Sequence, residues 1–214
     1  NYTITILDAD GNEVIKKTYD EVKNNDNKLS IAAGSYTLVA SSSADKVPVA
    51  AFEQPVYGVS KDFTIEAGMT TPIGELVCTL QQCKVTVSYS DDFLKMVTGP
   101  CATKVTVNPE MPLEYVLNAD KTFDQNAGYF AVTGSTMTVV FKGEIEGGSK
   151  SMTRVFSNIA PKQWRQIKFI PKVDEEGNAT FDIVIQDLIS DATLNNSVDA
   201  KEDVIGEDPD APKG

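Results

Sequence analysis

An all-β fold is predicted by three features of this 214-residue chain: apolar residues alternate at period two, the alternation recurs across glycine turns, and short strand-like runs follow one another at regular spacing. In residues 29–40 (Leu-Ser-Ile-Ala-Ala-Gly-Ser-Tyr-Thr-Leu-Val-Ala), Leu29 and Ile31 share one face before Gly34, and Tyr36, Leu38 and Ala40 share one after it. A hairpin across Gly34 is the expectation. The phrase returns in residues 63–68, which lead toward Leu80, and in residues 128–141, where strand, glycine turn and strand repeat.

The first half reads as strands near 2–7, 13–19, 28–32, 35–42, 62–66 and 73–80, separated by turn clusters at 8–12 and 24–27. Residues 43–61 hold two prolines and two aromatics without sustained alternation and are expected to form a long loop of the functional kind. Gln81-Gln82 marks the junction between an N-terminal sandwich, 1–80, and a C-terminal one, 83–189. Residues 83–89 then alternate cleanly. Ser90 is the expected N-cap of a short helix carrying Phe93, Leu94, Met96 and Val97, with Asp91 and Asp92 favourable in its first turn and Gly99-Pro100 ending it. Further strands are expected near 102–108, 113–118, 128–132, 136–145, 150–157, 164–173 and 179–186, with hairpin turns at 147–149 and 174–178. Beyond Asp187 the alternation stops. Residues 190–214 are acidic and end in a Pro-containing run, so an acidic tail or linker is expected.

Composition narrows function mainly by exclusion. No apolar run approaches the roughly 20 residues that span a bilayer. The formal charge of −12 repels phosphate backbones and anionic lipid, which argues against nucleic acid as a partner. Histidine is absent, and with it the usual general base, the Ser-His and Cys-His pairs and most catalytic zinc sites. Enzymatic activity is therefore not expected, nor is a cofactor or metal. The chain opens at Asn1 in a strand-like run, so a trimmed N-terminus is the expectation, with any signal peptide or lipid anchor preceding it.

Three constellations invite chemistry. Asp8, Asp10, Asn12 and Glu13 around Gly11 have the oxygen spacing of a calcium loop, but Tyr19 stands where the closing carboxylate belongs, and a hairpin turn is the expected role. Residues 147–151 (Gly-Gly-Ser-Lys-Ser) resemble a phosphate loop but lack its earlier glycine and lie between strands. Cys78, Cys83 and Cys101 lack metal spacing; buried free thiols are expected, with a Cys83–Cys101 bridge as the alternative. The aromatics offer a better lead. Phe52 and Tyr57 in the long segment, and Trp164 after the turn at 160–163, are the candidate ligand-binding residues, since such side chains stack on sugars and anchor interfaces; sandwich-end packing is the competing role.

Residues 33–40 (Ala-Gly-Ser-Tyr-Thr-Leu-Val-Ala), 51–58 (Ala-Phe-Glu-Gln-Pro-Val-Tyr-Gly), 63–68 (Phe-Thr-Ile-Glu-Ala-Gly) and 78–87 (Cys-Thr-Leu-Gln-Gln-Cys-Lys-Val-Thr-Val) follow one another as landmarks. Residues 160–169 (Ala-Pro-Lys-Gln-Trp-Arg-Gln-Ile-Lys-Phe) and 177–187 continue the series. Together they resemble a Bacteroidetes family of uncharacterised surface lipoproteins related to fimbrillin-like cell-adhesion proteins. The resemblance implies two tandem transthyretin-like or immunoglobulin-like β-sandwiches with one short helix in the second. It also implies export to the cell surface as an outer-membrane lipoprotein, and adhesive or pilus-associated partners: like subunits, another surface protein, or a glycan. It brings no catalytic residues with it.

Overall fold

The computed structural model describes residues 1–44, 46–107, 111–173, 175, 177 and 179–188. Fourteen strands and two short helices account for the regular structure among them, and the fold is all-β and sandwich-like. No helix among the described residues is long and apolar enough to cross a membrane. The chain divides into two compact units, Asn1–Val47 with Val56–Gln81, and Pro48–Pro55 with the residues from Gln82 onward.

The first unit begins with β1 (Thr3–Asp8), whose Ile4 and Ile6 alternate inward. Asp8 then closes a tight turn into β2 (Glu13–Thr18). Thr18 caps α1 (Tyr19–Asn24) through a capping box: its Oγ1 accepts from the Glu21 N–H, and the Glu21 carboxylate accepts from the Thr18 N–H at 2.7 Å. This helix replaces the expected strand end at Tyr19, so helices occur in both units and not only in the second. Strand β3 (Gly34–Ser41) pairs with β1 on one side (Ile6↔Leu38) and with β5 (Tyr57–Ile65) on the other (Ala40↔Val59). Both its edges are thereby taken, and the hairpin expected across Gly34 does not form; residues 28–32 carry no strand.

A short β6 (Thr79–Leu80) completes the antiparallel order β2-β1-β3-β5-β6. Most of the strand expected at 73–80 is irregular chain. Pro72 has no ladder donor and Gly74 sits at φ +77°, so the segment cannot continue a sheet. It covers the sheet instead: Ile73, Leu76 and Cys78 pack on Ile4, Leu38 and Ala40, and the Thr71 hydroxyl donates to the Thr64 carbonyl at 2.8 Å.

The second unit is a sandwich of two sheets. One has the order β14-β13-β7-β10-β4, from β4 (Ala50–Phe52), β7 (Cys83–Tyr89), β10 (Gly128–Phe130), β13 (Trp164–Val173) and β14 (Ala179–Leu188). The other has the order β12-β11-β8-β9, from β8 (Val97–Thr106), β9 (Leu113–Leu117), β11 (Thr136–Ile145) and β12 (Gly148–Ser157). All pairings are antiparallel except β7 with β13 (Val87↔Ile167). The long segment 43–61 is therefore not one loop. It supplies β4 to this sheet and the start of β5 to the other unit, because Ala50, Ala51 and Phe52 find Phe130, Tyr129 and Gly128 as ladder partners.

Residues 128–141, read as a hairpin, instead cross from one sheet to the other, β10 lying in the first and β11 in the second. Helix α2 (Asp91–Met96) starts at Ser90, whose Oγ accepts from the Phe93 N–H, and passes straight into β8. Gly99 and Pro100 do not break the chain there; Pro100 sits beside the bulge where the β8–β11 register shifts, a place where a missing N–H costs no ladder bond. The helix drops Phe93 among Tyr89, Phe141, Phe169 and Phe181, with ring centroids 4.9 to 6.1 Å apart. Residues 190–214, the segment expected to be an acidic tail, lie outside the described residues, as does Ile189 before them.

Candidate functional site

The cysteines belong to packing. All three are free thiols, Cys83 and Cys101 buried and Cys78 half-buried. Burial pushes the Cys83 thiol up to about 12, against a small opposing pull from Arg165, and raises Cys78 and Cys101 as well. A protonated thiol is no nucleophile at neutral pH. The phenols of Tyr89 and Tyr115 are shifted the same way, Tyr89 up to about 12, chiefly by burial, while its hydrogen bond with the Thr103 hydroxyl at 3.2 Å works against the shift.

The Asp8 turn is likewise closed on itself. Its carboxylate accepts from the Asp10 N–H at 2.9 Å, the Asn12 N–H at 2.8 Å and the Asn12 side chain at 3.1 Å, and these bonds hold its pKa down. Gly11 takes the left-handed position of the hairpin at φ +81°. Among the described residues, no three Cys, Asp or Glu side chains converge as a metal site would require.

Phe52 closes the sandwich core from β4. Its ring meets Tyr115 edge-on at 5.0 Å and 86°, and Tyr115 in turn donates to the Val85 carbonyl at 2.9 Å and accepts from the Gly128 N–H at 3.1 Å. A side chain at Gly128 would lie 2.4 Å from that hydroxyl, so the glycine is what lets the phenol reach the backbone. Tyr57 belongs to the other unit. It opens β5 half-buried, pairs with Leu80, and exchanges bonds with Ser42: its N–H donates to the Ser42 Oγ at 2.9 Å and its carbonyl accepts from the Ser42 N–H at 2.8 Å.

Trp164 occupies the first position of β13 and is half-buried. Its indole N–H donates to Thr86 Oγ1 at 3.0 Å, and the Lys84 ammonium lies 3.9 Å from the ring centroid, a close cation–π contact. Register carries Trp164 through Lys84 and Tyr129 to Ala51, whereas Phe52 lines up with Gly128, Val85 and Arg165. Val85 and Arg165 are buried, so Phe52 and Trp164 occupy opposite faces of one sheet, with β7 and β10 between their strands. They do not form one platform.

The outward row Trp164, Lys84, Thr86 is therefore the candidate site, and two of its three members escape sequence reading. Alternation in 83–89 places Lys84 and Thr86 on the polar face, but only the long-range β7–β13 register sets them beneath the indole. Arg165 is a further residue not anticipated. Buried to 6% exposure, it reaches the Asp187 carboxylate, the Asn158 carbonyl at 2.7 Å and the Gln163 Oε1 at 3.2 Å. Gln163 also accepts from the Ala160 N–H at 2.7 Å. Together they pin the turn at 158–163, whose Asn158 and Lys162 stand at φ +61° and +68°, directly before Trp164.

The arrangement defines a β scaffold with a fixed aromatic and cationic row on an outer sheet face. Residues 1–200 match the family described as "Domain of unknown function (DUF4493)", and the chain belongs to that family. No curated protein matches it. Among solved structures, it is similar to a "putative cell adhesion protein" from Bacteroides fragilis NCTC 9343, at 10% identity and a TM-score of 0.42, over 86% of this chain and 83% of that one. It is also similar to a "putative adhesin" from Bacteroides ovatus, at 9% identity and a TM-score of 0.44, over 87% of each chain.

Proposed function

We propose that this protein is a non-enzymatic module of the cell surface that serves adhesion or a pilus-like assembly, held at the outer membrane through a lipid anchor. The observation that carries this reading is the outward row on the β7–β13 face. An indole fixed at its N–H by Thr86 and flanked by the Lys84 ammonium offers rigid contact area at little ordering cost, as interface anchors do. Reactive groups point the other way, the buried thiols and phenols being held protonated. Assembly by strand exchange, in which one subunit lends a terminal strand to the sheet edge of the next, is the mechanism proposed for polymer formation. Size measurement at high concentration, with and without residues 1–7 and 190–214, tests that step, and a monomer indifferent to both deletions counts heavily against it.

Beads coated with the purified chain should adhere to partner-coated or like-coated surfaces. Trp164→Ala should cut adhesion at least tenfold while the chain stays folded, at a stability cost of about 1–2 kcal/mol for the half-buried ring. Equal adhesion by the variant overturns the assignment of the row. The second reading, a glycan-binding module of a nutrient-capture system, draws on the same indole and its polar neighbours. A glycan array separates the two, since an adhesin that grips protein gives no hits there.

A further inference from the structure

We propose that β12 is the surface on which two copies of this chain associate, pairing edge to edge about a two-fold axis. The association goes beyond the adhesive reading and needs neither Trp164 nor the terminal segments.

A sheet edge carries a row of open backbone donors and acceptors, and proteins usually blunt it. Here most edges are blunted. β6 and β4 have two and three residues, and β2 carries Glu13, Lys16 and Lys17 over its six. The outer side of β9 is closed by its own chain: Asp124 donates its N–H to the Val116 carbonyl at 3.0 Å and accepts the Val116 N–H on its carboxylate at 2.9 Å, and Leu117 bridges to Phe123. β14 is long but bears Asp182 and Asp187. β12 carries Lys150 and Arg154 but is otherwise the least defended edge among the described residues. Its ten residues pair with β11 in an unbroken register without a bulge, include no proline and no carboxylate, and leave Val155 62% exposed on the outer face.

Charge opposes a second copy least at this edge. In a chain of net charge −12 most approaches between copies bring carboxylates together, whereas β12 carries only the cations Lys150 and Arg154. An antiparallel pair centred on Thr153 places Arg154 opposite Met152, Phe156 opposite Lys150 and Val155 opposite Ser151, so no like charges stand directly across from one another. Arg154 is already neutralised by Asp182 at 2.7 Å. A two-fold pairing of this kind is self-complementary and joins two four-stranded sheets into one.

Sedimentation velocity of the full chain across a concentration series tests the pairing. A monomer–dimer equilibrium is expected, strengthened by salt because the copies repel at long range. Val155→Lys should weaken it at least tenfold; the side chain is exposed, so the fold persists. Thr153→Cys should form a disulfide-linked dimer on mild oxidation, since residues directly opposite in an antiparallel pair lie about 4.5–5.5 Å apart, within disulfide reach. Val140, opposite Thr153 on β11, would be about 14 Å from its counterpart, and Val140→Cys should not cross-link. A chain monomeric to its solubility limit, or cross-linking no faster at Thr153→Cys than at Val140→Cys, overturns the proposal.

Discussion

Phe52 and Trp164 present similar chemistry in the sequence, yet their surroundings give them different work. Phe52 shares the interior with Tyr115, so Phe52→Ala removes an edge-to-face partner and opens a hole beside a buried hydroxyl. A loss of about 2 kcal/mol is expected, below the range for a fully buried ring because Phe52 is half-buried. Urea denaturation at constant m-value measures it. Cys83 makes a complementary case at this scale. With its thiol raised to about 12 by burial, alkylation in native buffer should be slow at pH 8 and should become fast only when the chain is unfolded. Mass spectrometry after pulsed iodoacetamide reads both states. Rapid modification of native protein would mean that β7 opens locally.

Among the elements, β12 and β14 are the two long edges of the sandwich, and a small charge cluster links them. Arg154 donates to Asp182 through its Nη2 at 2.7 Å and its Nε at 3.1 Å, and Lys172 approaches from β13 at 4.0 Å. Burial pushes the Asp182 carboxyl up, but the Arg154 hydrogen bonds, the Ile183 N–H and the two positive charges outweigh it and leave the pKa lowered. A lowered native value means that the stabilising contribution is full above the ordinary aspartate range, at about 3.9, and is lost as pH falls through the native value. Asp182→Asn should therefore cost about 1 kcal/mol near neutrality, since the pair is partly solvated, and should also flatten the acid side of the stability profile. Equal acid sensitivity in variant and parent would place the titrating group elsewhere.

Element reading also shows where sequence suffices. Strands 83–89, 136–145 and 164–173 are legible to the residue, because each buries one face against a two-sided core and its alternation is strong. Helix α1 was legible in principle from the Thr18 and Glu21 capping pair, but β-like residues before it and an Asn-rich turn after it mask the signal. Partner choice was not legible. Nothing within residues 29–40 reveals that β1 and β5 will occupy both edges of β3, and nothing near Trp164 reveals that Lys84 and Thr86 will lie beneath it.

At the scale of the whole molecule, connectivity matters more than composition. Residues 48–55 belong to the second unit although they lie between β3 and β5 of the first, so no single cut separates the two. A fragment beginning at Gln82 lacks β4, leaves the outer edge of β10 without a partner and removes Phe52 from above Tyr115. It should melt well below the full chain, and adding a synthetic peptide of residues 48–55 should raise its midpoint. Calorimetry of the fragment with and without the peptide gives the comparison; identical melting of fragment and full chain would show β4 to be dispensable.

The placement of β4 also sets a timetable. On the ribosome, at about 5–20 residues per second, Ala50–Phe52 emerges several seconds before the Gly128–Phe130 strand it must join. Until then, the surrounding chain, Asn1–Val47 with Val56–Gln81, can already complete its own sheet. The short strand is thus made early and held in reserve, and the larger sandwich lacks this edge until Gly128–Phe130 arrives to meet it.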